Sequence, residues 1–175
     1  MMMRHYGVDP MFNYGMIPQT WENNAELDHE TGCVGDNDPL DIVDLTNRDM
    51  RMMEMPRMKI LGSLCLIDQG ELDWKILAVE EEFSIEHNIR SVDDYNQYHP
   101  GAIREVKEWF RSIKTHDGKP ENRFGRDGRV LGVEETLEII FENNNSYQKL
   151  MIGVIPNQNE ELWLNNDNVN GNINK

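Results

Sequence analysis

Two apolar runs around one turn constrain this chain more than anything else in it. Residues 58–67, MKILGSLCLI, are apolar almost without interruption, and WKILAVE repeats that character at 74–80. Runs of this length bounded by turn residues read as buried strands. Asp68-Gln69-Gly70-Glu71 lies between them, so the pair reads as a hairpin. The other elements arrange themselves around it. Residues 10–40 are rich in Gly, Pro and Asn and read as ordered loops with one short strand. Residues 91–113 read as helical, with Ser91 as a cap and a second start at Pro100-Gly101. Residues 131–142 carry apolar side chains at 133, 137, 140 and 141, the spacing of an amphipathic helix that continues through the following Asn run or restarts near Tyr147. From 157 to 175 there are eight Asn and no helical period, the composition of a tail disordered beyond about Leu164. The expected organisation is one domain over 1–156 followed by an Asn-rich tail over 157–175. No internal repeat is present.

Charge is distributed unevenly. The chain has 17 Lys and Arg against 32 Asp and Glu, a net charge of −15. Such a surface repels polyanions, which argues against nucleic acid as a partner. No run approaches the roughly 18 apolar residues of a membrane span, so no membrane partner is expected either. Cys33 and Cys65, without a CxxC spacing, suit reduced thiols in the cytoplasm or an organelle matrix. Residues 5–47 contain no Lys or Arg but nine acids: Asp9, Glu22, Glu26, Asp28, Glu30, Asp36, Asp38, Asp41 and Asp44.

The tightest acidic group is Gly-Asp-Asn-Asp-Pro-Leu-Asp-Ile-Val-Asp at 35–44. Asp36, Asp38 and Asp41 fall within six positions, with Pro39 fixing the backbone between them. Converging carboxylates suit a hard cation such as Mg²⁺ or Ca²⁺, and without one they raise each other's pKa. A solvated Asp-rich turn is the bland alternative. An EF-hand is not: that pattern needs a ligand at 40 and Gly at 41, where the chain has Leu40 and Asp41. Leu40 and Ile42 would anchor a strand that turns Asp41 to its opposite face. Asp68 and Asp73 bracket the hairpin tip, and Lys75 shares a strand face with Asp73. Five carboxylates able to hold two or more Mg²⁺, with a lysine beside them, form an arrangement for phosphoryl hydrolysis.

These residues also carry a resemblance. Asp36-Asn37-Asp38-Pro39-Leu40-Asp41 matches the D-x-D-P-x-D fingerprint of the family I soluble inorganic pyrophosphatases, and the chain most resembles the eukaryotic branch. Four more segments agree in order: Asn13-Tyr14-Gly15 with Pro18-Gln19-Thr20-Trp21-Glu22; Leu66 to Lys75; Glu108-Trp109-Phe110-Arg111; and Asp117-Gly118-Lys119-Pro120-Glu121-Asn122. The resemblance implies a mainly β fold with flanking α: an OB-like five-stranded barrel, incomplete at its N-terminal strands, with outer helices. It implies Asp36, Asp41, Asp73 and Asp68 as Mg²⁺ ligands for several ions, Asp38 as general base, Tyr14 in the same hydrogen-bond network, and Lys75 and Lys114 on phosphate. The implied reaction is in-line attack of metal-activated water on pyrophosphate, releasing two orthophosphates, in a homodimer; with the cysteine usage above, the expected compartment is the cytoplasm, an organelle matrix staying open.

The chain departs from that family at three places. The family's Glu, Lys and Arg upstream of Asn-Tyr-Gly have no match, since the only upstream cation is Arg4. Ile113-Lys114 stands where the family has Tyr-Lys, and Gln69 stands where an acid is common. A lost arginine is a lost bidentate phosphate clamp that lysine cannot copy. The competing expectation is therefore a truncated or degenerate relative that binds divalent cations or dimerises without turnover. The remaining features read plainly. Five histidines lack metal-ligand spacing. Met50, Met52, Met53, Met55 and Met58 are expected to fill gaps beside the barrel. Lys119, Arg123, Arg126 and Arg129 are expected to form a solvated basic loop.

Overall fold

The fold follows from the hairpin. In the computed structural model, which describes residues 9–157 and Leu162, β3 (Met58–Asp68) and β4 (Glu71–Glu80) pair antiparallel. Gln69 and Gly70 join them with φ of 53° and 98°. Two consecutive positive φ values are what a two-residue hairpin turn matched to strand twist requires, and Gly70 takes the more extreme one without a Cβ clash. β1 (Asn13–Met16) and β2 (Asp41–Asp44) complete one side, and β5 (Arg123–Phe124) the other, in the order β1-β2-β4-β3-β5. β2 runs parallel to β4, and the remaining pairs are antiparallel. The sheet is five-stranded with flanking helices. Among the described residues it is not closed into a barrel.

Both faces of the hairpin are covered, which explains its continuous apolar character. On one face Leu61, Leu64, Leu66, Leu77 and Val79 pack with Phe12, Val43, Tyr95, Val106 and Phe110. On the other, Cys65, Ile67, Leu72, Trp74 and Ile76 pack with Leu40, Leu131 and Ile139. The first face is roofed by α2 (Val92–Tyr98) and α3 (Ala102–Ser112). Ser91 caps α2 by accepting the Asp94 N–H at 3.1 Å. Pro100 and left-handed Gly101 (φ 89°) separate the two helices, so the expected second start is real. A short α1 (Glu81–His87) follows β4 directly, where the apolar pattern gives no warning of it.

α4 (Val133–Met151) roofs the second face and runs through the Asn run without a break. Its buried stripe differs from the one the apolar spacing suggests. Thr136 and Ile139 point inward, whereas Leu137 and Phe141 are exposed. The reason is polar: the Thr136 hydroxyl donates to the Ser63 hydroxyl at 3.0 Å, both fully buried. The methionines also differ from expectation. Met52, Met53 and Met55 are 84–94% exposed on the loop before β3 rather than filling gaps. The expected disordered tail lies, except for Asn157 and Leu162, outside the described residues, and so does Arg4. Among the described residues no helix is long and apolar enough to cross a membrane.

β3 carries a bulge between Ile60 and Gly62, where Ser63 and Leu131 exchange hydrogen bonds of 3.2 and 2.9 Å. A Cβ at Gly62 would lie 2.4 Å from the Leu131 carbonyl oxygen and 2.8 Å from Val92 Cγ2. Gly62→Ala is therefore expected to destabilise the fold by about 1–3 kcal/mol, as overpacking typically does. Urea unfolding checks this, and an unchanged midpoint would show that the roof can shift freely.

Candidate active site

Alternation along β4 sets out the site. Trp74 and Ile76 join the core under α4, while Leu77 joins the core under α3, so Asp73 and Lys75 share the α3 side. The parallel register puts Asp41 beside Lys75. The antiparallel registers put Met16 beside Asp41, Leu66 beside Asp73 and Asp68 beside Glu71. Residues two apart on a strand share a face. Tyr14, Asp41, Asp68, Asp73 and Lys75 therefore all stand on one side of the sheet, although they come from four strands.

Lys75 is the centre of the group. It is 2% exposed and forms ion pairs with Asp41 and Asp73. Its ammonium also donates to the Tyr14 hydroxyl at 2.9 Å, and that hydroxyl donates in turn to Asp41. The Tyr14 and Phe110 rings each lie with centroids 5.5 Å from Lys75 Nζ, closing one side with aromatic faces. Burial alone would lower the Lys75 pKa, but Asp73, Tyr14 and Asp41 outweigh it and keep the ammonium charged. Burial raises the Tyr14 phenol well above its usual range, so it stays a proton donor.

The fingerprint loop is held against β4 from below. Gly35 bridges Leu72 in parallel, and the Leu72 N–H donates to the Val34 carbonyl at 2.8 Å. Asp36 Oδ1 accepts the Asp38 N–H at 3.0 Å, an Asx turn that fixes the Asp36 carboxylate. Asp38 itself is exposed, with its carbonyl accepting the Glu22 N–H at 2.9 Å. At the hairpin tip, Asp68 forms a separate ion pair with Lys114, which follows α3. Asn122 sets that region by donating to the Phe110 carbonyl at 3.0 Å, while its own N–H donates to the Arg111 carbonyl at 2.9 Å.

Glu22 is the residue whose place the sequence did not reveal. It is 2% exposed, and its Oε1 accepts the Trp74 N–H at 2.7 Å. Carboxylate oxygens of Glu22, Asp36 and Asp73 lie within 4.8 Å of one another. Burial, then Asp36 and Asp73, pushes the Glu22 carboxyl up to about 10. Burial likewise raises Asp36 and Asp73, the latter against the pull of Lys75. Glu22 lies inside a segment singled out above, but its depth depends on β4 passing behind it, which no local spacing encodes.

The donor set fits a divalent cation. It is all oxygen, as hard cations require. Glu22 Oε2 and Asp68 Oδ1 are buried with no hydrogen-bond partner among the described residues, which leaves acceptor capacity at two of the carboxylates. Among the described residues, the carboxylates that converge closely enough to share one ion are those of Glu22, Asp36 and Asp73, while Asp41 and Asp68 are paired with Lys75 and Lys114. Of the basic residues downstream, Lys119, Arg123 and Arg129 are exposed as a solvated loop requires, whereas Arg126 is largely covered. Arg126 pairs with Asp28 and Glu30 and lies over Trp74, and Arg129 pairs with Glu135. Lys119 donates to Gln69 at 2.9 Å.

Comparison with known proteins agrees with this geometry. The inorganic pyrophosphatase family profile matches residues 2–148. A soluble inorganic pyrophosphatase 1, chloroplastic, of Chlamydomonas reinhardtii is 40% identical over 162 residues, covering 93% of this chain and 58% of that protein. Among solved structures, the inorganic pyrophosphatase of T. brucei brucei superposes with a TM-score of 0.81 at 33% identity, over 85% of this chain and 44% of that one. An N-terminally truncated vacuolar soluble pyrophosphatase of Trypanosoma cruzi, in complex with PPi, gives 0.79 at 32% identity, over 84% of this chain and 56% of that one. The chain spans about half the length of the curated relatives it matches.

The raised carboxyls carry a pH signature. Native Glu22 keeps its proton between the ordinary carboxylate range and about 10, whereas the unfolded chain releases it. The native state thus binds more protons, and metal-free stability falls as pH rises through that window, by at most about 1.4 kcal/mol per pH unit for one group. Thermal unfolding at pH 5.5 and 8 checks this. Mg²⁺ is expected to stabilise more at pH 8, and Glu22→Gln to flatten the metal-free slope.

Proposed function

The chain belongs to the inorganic pyrophosphatase family, and on that footing we propose that it hydrolyses inorganic pyrophosphate to two orthophosphates, using Mg²⁺. The observation that carries this reading is Lys75, a buried ammonium set between Asp41 and Asp73 with the Tyr14 hydroxyl on it. A cation store needs no such lysine, whereas a phosphate site does. Mg²⁺ ions held by Asp36, Asp41, Asp73 and Asp68 would neutralise phosphate oxygens and acidify a water molecule. Exposed Asp38 would serve as the general base toward such a water. Its loop leaves the carboxylate facing outward while the backbone is held by Glu22. Tyr14 orients Asp41 by its hydrogen bond and stays protonated. Lys75 and Lys114 contact phosphate, their present carboxylate partners being Asp41, Asp73 and Asp68. The PPi bound by the T. cruzi relative supports the substrate class. We assign the catalytic unit to residues 1–156. We read the working form as a homodimer of the cytoplasm or, as the chloroplastic relative suggests, of an organelle matrix.

One observation favours a second reading, a metal-binding relative without turnover. Ile113 stands directly before Lys114 at the end of α3, so no phenol accompanies that lysine. The two readings differ in coupling. A substrate site predicts that pyrophosphate tightens Mg²⁺ binding, and a simple cation module predicts that it does not.

Phosphate release from Mg²⁺-pyrophosphate is the direct test. Wild-type chain is expected to release phosphate, and Asp38→Asn to lower the rate about 10²-fold or more, in the range typical of acid–base loss. Ile113→Tyr is expected to lower KM severalfold with little change in stability. Wild-type release no greater than that of Asp38→Asn would favour the metal-binding reading.

A further inference from the structure

We propose that Trp21 is a positioning residue for the Asp36 and Asp38 carboxylates, acting through Asn37 and anchored by α4; this rests on the pyrophosphatase reading. Asn37 separates the two aspartates and has a φ of 72°. A left-handed backbone there turns the flanking side chains away from the alternation an extended chain would give them. Asparagine tolerates that conformation better than most residues, but it does not select it alone. The indole N–H of Trp21 donates to Asn37 Oδ1 at 3.0 Å, from a ring 4% exposed. A part-buried, directional bond of this kind holds the amide, and with it the turn.

The neighbouring backbone makes the same connection twice more. Asn37 N–H donates to the Glu22 carbonyl at 3.1 Å, and Glu22 N–H donates to the Asp38 carbonyl at 2.9 Å. Gly35 permits the approach, since a Cβ there would lie 2.4 Å from the Glu22 carbonyl carbon. Trp21 is itself fixed from α4. Its backbone N–H donates to the Asn143 carbonyl at 3.1 Å, and the Asn144 amide donates to the Gln19 carbonyl at 2.7 Å. The Asn run of α4 therefore acts as a strut. It holds residues 19–22, and these hold the loop that carries the base and one metal ligand.

The test uses Trp21→Phe, Asn37→Gly and the double variant in the full chain. Phe keeps an aromatic ring without the donor, and Gly keeps the left-handed backbone without the acceptor. Mn²⁺ affinity by calorimetry, kcat and KM for Mg²⁺-pyrophosphate, and the unfolding midpoint are read separately. Each single variant is expected to weaken Mn²⁺ binding and lower kcat by about tenfold, the upper end of what one hydrogen bond is worth, with KM within about twofold. The double variant is expected to be no worse than either single, because both remove the same bond. Additive losses, unchanged Mn²⁺ affinity, or losses that simply follow a lowered midpoint would overturn the proposal. If Trp21→Phe fails to fold, Asn37→Gly alone carries the metal and kcat comparison. A wild-type chain that releases no phosphate would refute the functional reading, while Mn²⁺ affinity would still decide the positioning role.

Discussion

The buried ammonium of Lys75 is the interaction on which the rest of the site depends. It stands on β4 but neutralises carboxylates on β2 and on its own strand, and it orients a phenol on β1. Desolvating one cation is costly unless partners of opposite charge come with it. Here one carboxylate comes from β4 itself and the other from the adjacent parallel strand β2, so sheet order and charge compensation require each other. Losing β2 would leave Lys75 with Asp73 as its one carboxylate partner among the described residues.

The other acids are managed differently. Glu22, Asp36 and Asp73 converge without a protein cation between all three, and burial raises each carboxyl. Burial thus favours the protonated forms within this group, and a divalent cation would offset the same charge. Internal cation on one side and protons on the other allow a chain with charge −15 to gather carboxylates on one face.

Much of this was legible from residue order alone, and the reasons for success and failure are physical. The hairpin announced itself because both its faces are buried, so no polar alternation obscured it. Asp36, Asp38 and Asp41 were visible because a short loop with one proline brings them close locally. Asp73 and Lys75 were visible through the two-residue period of a strand. Glu22 was not, because its burial depends on a strand 52 positions away. The inward face of α4 was misjudged because a threonine hydroxyl satisfied by Ser63 took the place an apolar residue was expected to fill. The exposed methionines before β3 failed for the converse reason: apolar composition does not oblige a loop to find a core. Arg126 looked like a surface charge until the 28–30 turn was brought beneath it.

The spread of the site along the chain governs how it comes into being. Tyr14 and Asp41 are 27 positions apart, Asp41 and Lys75 34, Tyr14 and Lys75 61. Closing such loops costs entropy before any ion pair forms to offset it. The β3–β4 hairpin, closed by a two-residue turn, faces no such delay and offers a template on which the parallel β2 and then the four-residue edge strand β1 can settle. Tyr14 therefore sits on an edge strand that, among the described residues, pairs with β2 alone. An opening confined to β1 would release the phenol while Asp73 and Lys75 stay packed, which makes the β1 edge the place where the site can open without loss of its core.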